Sequence, residues 1–446
     1  MTPPERVLYR VLTLTWVFYL VGALYVVGPV LAWLLAGFAL FALYFAPLMR
    51  EDMRAGAPPM TVHLWFVCMF GMLVVLWIGH VDYQLGTGKT IKSSIGWAKG
   101  WALFPLFLFA GAVLRIRPEV IVRAQCVLGA QTLVLLPLLL IAPFIGLPEK
   151  LFTSPLRAVG GPGPEYFSVY LYTIDPADGS FRWQFWTPWS PFAGLIGLVM
   201  TLCAIEERHP VWRTIGVVAG LAIVVLCKSR MSLIGIVVGA GAPRLLPLIL
   251  RSWTWLAMGA LSTVMVAAGT WTITTLAESW QAFKDLRANS TRVRDTLQSI
   301  AKERWWTEAP WFGHGSVEPG AHVTEHMLIG THHTWFGLLF VKGLVGLVMF
   351  AIPMVWMLLM LMRLCIVSTR GRLPLGLLLG MLLFSFGENL EVLVYMLWPA
   401  LIIIGASLVP ERKPQSTRPV EAGRSADRRV GNGMTGVGCA KDPMLG

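Results

Sequence analysis

Apolar residues run through this chain in twelve blocks, separated by short polar segments and by two long ones. A helix that crosses a bilayer needs about 20 mostly apolar residues. The blocks fall near 7–26, 28–47, 61–79, 97–114, 124–146, 191–205, 211–227, 231–249, 254–275, 337–362, 373–388 and 392–409. The pattern predicts an all-α polytopic membrane protein with about 12 transmembrane helices. Residues 1–275 then carry nine spans, interrupted by a polar loop at 147–190. Residues 276–334 form a large, partly helical polar loop, and 335–409 carry the last three spans. The segment 410–446 is rich in Arg, Gly, Pro and Ser and nearly free of large apolar groups, which predicts a disordered basic tail. No internal repeat is visible.

Composition agrees with this layout. The 446 residues are 56% hydrophobic and only 13% charged, against about 25% charged in soluble proteins. The net charge of +12 then bears on topology. With the N-terminus inside, Arg50 and Arg54, the Arg115–Arg123 group, Arg208 and Arg213, Arg244 and Arg251, the Arg363–Arg372 group and the tail all face the cytoplasm. Both long loops fall outside. No basic domain with interleaved aromatics appears, so nucleic acid is excluded as the partner of that charge. The start MTPPERVLYR leads into an apolar stretch without a small-residue cleavage site, which predicts a retained first span. The six cysteines avoid both long loops, so no disulfide framework is expected.

Within the loops, Trp183, Trp186 and Trp189 precede a span, where an interfacial belt accounts for them and sugar stacking is a second role. In the large loop, Ser290 is placed to cap a helix from about Thr291 to Trp306. Val293, Leu297, Ile300 and Ala301 make one apolar stripe on it, suited to lie on the membrane or on the spans. Pro310 ends that helix, and Gly313 and Gly315 allow a tight turn.

Candidate chemistry concentrates on the outer side. Lys228 and Arg230, in CKSRMS, lie between two spans where the distribution of charge disfavours cations. Burial of such a group at bilayer depth costs about 2.5–3.5 kcal/mol on insertion scales. An anionic partner explains them, and snorkelling from a span end is the ordinary alternative. Arg292 and Arg294 fall in the first turn of the loop helix, where cations are disfavoured unless an anion is bound; arginine forks suit phosphate oxygens. Five of eight histidines share the large loop: His314, His322, His326, His332 and His333. His332 and His333 stand where the loop meets the membrane, and a neutral imidazole there can accept a proton from a hydroxyl. HVTEH, from His322 to His326, matches a short zinc-protease pattern, but nearby Gly and Pro leave little room for the helix it requires. No metal site is assigned. Glu388 and Glu391, in FGENLEVL, suit either acceptor hydroxyls or a polar span end.

Taken in order, SRMSLIGIVVG, STRVRDTLQSI, APWFGHG and HHTWFGLLFVKGLVGL resemble the O-antigen ligase and polysaccharide polymerase superfamily over roughly residues 189–408. The most specific part runs from His332 to Gly346. The resemblance implies a glycosyltransferase with a GT-C-like fold, multi-pass in the bacterial inner membrane with its catalytic loop periplasmic. It implies use of sugar chains linked to undecaprenyl diphosphate. The family's loop histidine falls on His332, its arginine after the span hairpin on Arg230, and its large-loop arginine on Arg292 or Arg294. The family often has Asn after the histidine, whereas this chain has His333, so either imidazole is a candidate base. The rest of the loop is similar to the branch associated with capsule or exopolysaccharide synthesis.

The residues fit such chemistry directly. Arg230, Lys228 and Arg292 or Arg294 are suited to stabilise a departing diphosphate without a cofactor. His332 or His333 is suited to take the acceptor's proton, with Glu388, Glu391 and His314 as weaker acceptor-binding or structural candidates. No paired-carboxylate nucleophile arrangement is evident, so an inverting transfer is expected. The expected function is a surface-polysaccharide polymerase, working beside a flippase and a chain-length regulator. The alternatives are a ligase passing the glycan to lipid A core or protein, and a transporter of lipid-linked glycans. A transporter would show charge along its spans and broken helices.

Overall fold

The computed structural model describes residues 1–45, 56–175, 179–249, 288–320, 327–330 and 333–410, with isolated positions between 250 and 287; side chains are described from residue 295 onward in the helix that begins at 288. Residues Met1–Val409 form one unit, and it is mostly helical. In order it contains α1 (Pro3–Thr13), α2 (Thr15–Val21), α3 (Leu24–Tyr44), α4 (Met60–Asp82), α5 (Thr87–Lys99), α6 (Leu103–Val113) and α7 (Pro118–Ile141). The 147–190 segment carries two small antiparallel ribbons, β1 (Lys150–Thr153) with β2 (Ser168–Tyr170) and β3 (Thr173–Ile174) with β4 (Phe181–Arg182). Then come α8 (Ser190–Ile205), α9 (Pro210–Leu226), α10 (Arg230–Ile249) and α11 (Ala288–Glu308). A further ribbon, β5 (Glu318–Pro319) with β6 (Leu328–Ile329), precedes α12 (Thr334–Val367), α13 (Arg372–Ser385), α14 (Leu390–Leu393) and α15 (Trp398–Ser407).

The expected count of about 12 transmembrane helices is corrected. Among the described residues six helical stretches are long and apolar enough to cross a membrane, with α5 and α6 counted together as Thr87–Val113, and the bent pair Leu390–Met396 and Trp398–Ser407 makes a seventh if it is one span. The other blocks fail for visible reasons. The block at 7–26 is broken at Leu14 into helices of 11 and 7 residues. Those at 191–205, 211–227 and 373–388 are helices of 16, 17 and 14 residues. The block at 254–275 lies largely outside the described residues. By helix length and hydropathy the chain is a multi-pass membrane protein associated with the lipid bilayer.

Ion pairs tie the helices together at one end of the bundle. Glu5 accepts two hydrogen bonds from the Arg117 guanidinium, both at 2.8 Å. Arg123 grips Glu207 the same way at 2.9 and 2.8 Å, and these bonds hold the Glu207 carboxyl down at about 2. Arg244 reaches Glu206 at 2.7 Å. Several of the arginines that the charge pattern assigned to one side therefore have carboxylate partners. The 147–190 segment caps the opposite end. Its tryptophans pack inward instead of forming an outer belt: Trp186 is buried edge-on to Trp16 at 5.0 Å, and Trp183 donates to the carbonyl of Leu139 at 2.8 Å.

The decisive feature of the other end is a break in α12. Residues 334–342 are helical, Gly343 takes φ +64° and ψ −167°, and the helix resumes at Leu344. That backbone conformation is open essentially only to glycine. The break frees carbonyls and N–H groups that water cannot satisfy inside a membrane. The segment 310–315, PWFGHG, satisfies four of them. His314 and Gly315 donate N–H to the carbonyls of Phe340 and Val341 at 2.8 and 2.9 Å. Leu344 and Val345 donate to the carbonyls of Pro310 and Trp311 at 2.9 and 3.1 Å. Gly313 and Gly315 take φ +69° and +74° to present these groups. A side chain at Gly313 would strike the backbone of residues 341–343.

α11 holds this seam in place. It begins at Ala288, so Ser290 lies inside the helix and is not its cap. Its stripe buries Leu297 and Ala301, with Ile300, against Ile329, Phe340 and Val341, so the stripe packs on the protein. Its C-terminal Arg304 forks onto Glu308 and reaches Glu318 at 2.7 Å. These bonds hold the Glu308 carboxyl down at about 2.

Gly343→Ala should destabilise the folded protein by at least about 1–3 kcal/mol, because it adds backbone strain and drives a methyl into the carbonyl of Trp311. Thermal unfolding of the detergent-purified protein measures this, and an unchanged midpoint would refute the role assigned to the break.

Candidate active site

The first half of α12 begins at His333. The His333 ring is its N-cap: Nδ1 accepts from the N–H groups of Trp335 and Phe336 at 3.2 and 3.3 Å. A neutral imidazole has one accepting nitrogen, so the proton of this ring sits on Nε2. The ring is buried between Phe336 and Phe386, with centroids at 4.6 and 6.0 Å. Burial pushes its pKa down from 6.5 to about 4. To serve as a base, His333 would have to release the helix cap.

Thr334 and Trp335 then bind the α13–α14 turn. Thr334 Oγ1 donates to the carbonyl of Glu388 at 2.7 Å and accepts from the N–H of Leu390 at 3.0 Å. The Trp335 indole N–H donates to Ser385 Oγ at 2.8 Å. Asn389 caps α14 by accepting from the Glu391 N–H at 3.0 Å. Glu388 is buried within this turn.

The cationic turn between α9 and α10 meets the same place. Lys228 adopts a left-handed backbone, φ +54°, and its ammonium donates to Ser180 Oγ in the 147–190 segment. Arg230 is half-buried at the start of α10. The next residue, Met231, lies with its methyl 3.3 Å from where a Cβ on Gly387 would stand. The turn at 228–231, the turn at 387–391 and the start of α12 at His333 therefore converge on one end of the bundle. Ser229 and Ser232 are hydrogen-bonded at 2.6 Å and nest against Gly194, where a side chain would collide with both.

His332, His322 and His326 lie outside the described residues, and so do the side chains of Arg292 and Arg294, whose backbone is in the first turns of α11. His314 is in the seam of α12. Its Nδ1 faces the Phe340 carbonyl at 3.0 Å and its Nε2 faces Glu308 at 2.8 Å. The ring stacks on Phe340 at 4.3 Å and is 1% exposed. Both of its nitrogens are committed to the fold. Among the described residues no group of three His, Cys, Asp or Glu side chains is arranged to hold a metal ion.

One residue that sequence reasoning missed is Lys342, at the C-terminal end of the 334–342 half-helix. It is 3% exposed. Its ammonium lies over the Trp101 ring, 5.6 Å from the centroid. The carbonyls of Phe340 and Val341 are already taken by His314 and Gly315, so closing the broken helix end does not account for Lys342. The signal was present in the sequence as a single lysine in LLFVKGLVGL; ionisable groups at membrane depth mark functional sites by default.

The chain matches no protein-family model and no curated protein.

The cap at His333 makes two measurable predictions. His333→Ala should cost about 0.5–2 kcal/mol, as N-cap removals do, while His333→Asn should keep most of that stability. The pH dependence has a definite sign. Between pH 6.5 and 4 the unfolded chain binds a proton that the folded ring refuses, so stability is full above 6.5 and falls as pH drops towards 4. Unfolding midpoints measured over pH 4–7 should fall less steeply for His333→Asn than for wild type. Equal slopes would refute the assignment.

Proposed function

We propose that this protein is a polymerase of bacterial surface polysaccharide. It transfers a glycan from undecaprenyl diphosphate to the sugar end of another lipid-linked repeat unit in the inner membrane. The observation that carries the reading is the convergence of Lys228 and Arg230, the Glu388–Glu391 turn and the start of α12 on one end of a membrane bundle. In this reading that end faces the periplasm, and a flippase delivers the substrate.

Each group then has a role. Arg230, Lys228 and Arg292 or Arg294 meet the charge that grows on the departing diphosphate, where preorganised cations are most effective. His332 accepts the proton of the attacking hydroxyl. It is assigned that role over His333, whose accepting nitrogen caps the helix. Glu388 and Glu391 lie where acceptor hydroxyls would arrive. Attack by one hydroxyl with one base inverts the anomeric centre. A ligase that passes the glycan to lipid A core or protein would use the same groups with a different acceptor.

A second reading is favoured by one specific observation. Lys342 is an ammonium buried in a span, beside a helix broken at Gly343. Broken helices and intramembrane charge are features of transporters, here one moving lipid-linked glycan across the membrane.

Proteoliposomes loaded with the host's lipid-linked repeat unit separate the two. A polymerase lengthens the lipid-linked glycan; a transporter leaves its length unchanged and alters its accessibility to an external lectin. In the polymerase reading, His332→Ala should slow lengthening by about 10²–10⁴-fold and Arg230→Ala by about 10²–10³-fold. His333→Asn should retain most of it. Normal lengthening by His332→Ala would end the catalytic assignment.

A further inference from the structure

The break between α1 and α2 borders a cavity. No proline, glycine or serine occurs from Val11 to Val17, so none of the residues that commonly interrupt a helix accounts for it. Leu14 stands at the N-cap of α2 and makes no side-chain hydrogen bond there. In an unbroken helix the N–H of Thr15 would donate to the carbonyl of Val11. Among the described residues neither of these groups has a hydrogen-bond partner. The Thr15 hydroxyl donates to the carbonyl of Leu12 at 2.7 Å, so it serves neither.

The candidate span α7 runs alongside this break. Glu5 and Arg117 join α1 to α7 on one side of it, and the Trp16 indole donates to Thr132 Oγ1 of α7 at 3.2 Å on the other. Gln125 lies on α7 between those two points. It is 2% exposed, and its Oε1 accepts from no group among the described residues. Val11, Leu12 and Thr15 from the break, Gln125 and Leu128 from α7 and Val199 from α8 line one cavity of ≈ 30 Å³. A water needs about 10–15 Å³ on this measure, whereas a cavity that takes benzene has about 150 Å³. The space therefore suits water and excludes a sugar, an aromatic ring or a lipid chain.

We infer that this cavity is an internal water site, and that the bound water is the wedge that parts α1 from α2. The water accepts from the N–H of Thr15 and donates to the carbonyl of Val11 and to Gln125 Oε1. Three hydrogen bonds are the usual complement of a buried water. Water inserted into the i→i−4 ladder is one of the few causes of a sharp helix break, and it meets backbone groups that lipid cannot. At the break in α12 the segment 310–315 supplies the missing partners; at the break after α1 a solvent molecule supplies them. The site stands whether or not a glycan is the substrate.

Radiolytic hydroxylation tests the site, because radicals formed from a bound water mark the side chains beside it. Leu128 is 1% exposed, so bulk solvent does not reach it. In the full chain held in nanodiscs, Leu128 should be hydroxylated. Gln125→Leu removes an acceptor of the water; it should lose most of that label and unfold at a lower temperature than wild type. The sign of the thermal shift is informative, since an apolar group in place of an amide that had no partner would raise the midpoint. Should Gln125→Leu fail to fold, Val199→Ile, which adds a methylene at the cavity wall, should lose the label in its place. No hydroxylation of Leu128 in wild type, an unchanged label in the folded variant, or a raised midpoint in Gln125→Leu overturns the site.

Discussion

The far end of this bundle depends on how a broken backbone is satisfied inside a membrane. An uninterrupted helix completes its own hydrogen bonds. α12 does not, because Gly343 turns the chain out of the helix at Lys342. Lipid supplies no replacement partners, so the freed groups must be met by protein. The turn at 310–315 meets them from both sides of the break. The large loop is thereby sewn into the bundle by main-chain bonds, and α11 and the His314–Glu308 contact hold that seam from above. Two sequence features that look unrelated, APWFGHG and the glycine-rich end of HHTWFGLLFVKGLVGL, are the two halves of one structural joint.

The joint determines how the first half of α12 is held. Because α12 is split, its first half is a short helix with its own N-terminus. That N-terminus is capped by His333 and fastened through Thr334 and Trp335 to the α13–α14 turn. The same split leaves Lys342 at the lower end of the half-helix, buried above Trp101. A cation there agrees with the partial negative charge of a helix C-terminus, which lessens the cost of burying it. The half-helix thus carries a titratable group at each end, one beside the cationic α9–α10 turn and one within the bundle.

Much of this was legible in the sequence, within limits set by what apolar pattern can encode. Hydropathy located the membrane segments because each needs a long apolar run, and six of the twelve blocks became full-length helical stretches. It overstated the count because it measures apolarity and not continuity: nothing in VLYRVLTLTWVFYLV marks the interruption at Leu14. The glycines at 313 and 315 were readable as turn residues, since positive φ selects for glycine. Gly343 was not, because its role depends on a partner segment that is distant in sequence. The stripe of Leu297 and Ala301 was visible as a face, but not what it would cover. The packing of Tyr25 against Tyr166 and Tyr395 left no local signal at all, since it joins distant parts of the chain.

The adjacent histidines illustrate how geometry divides roles that sequence leaves equal. Residues 332 and 333 have the same side chain, and of the two only 333 is among the described residues. A helix N-terminus, however, has N–H groups that need an acceptor, and the N-cap side chain is placed to offer one. Position 333 holds that place, and its ring is turned inward between Phe336 and Phe386. An asparagine would serve as well, since it is among the strongest N-cap residues. The position calls for an acceptor, not for a base. Taking up a proton at the accepting nitrogen of His333 would remove that acceptor, so the cap and a protonated ring exclude one another at this position.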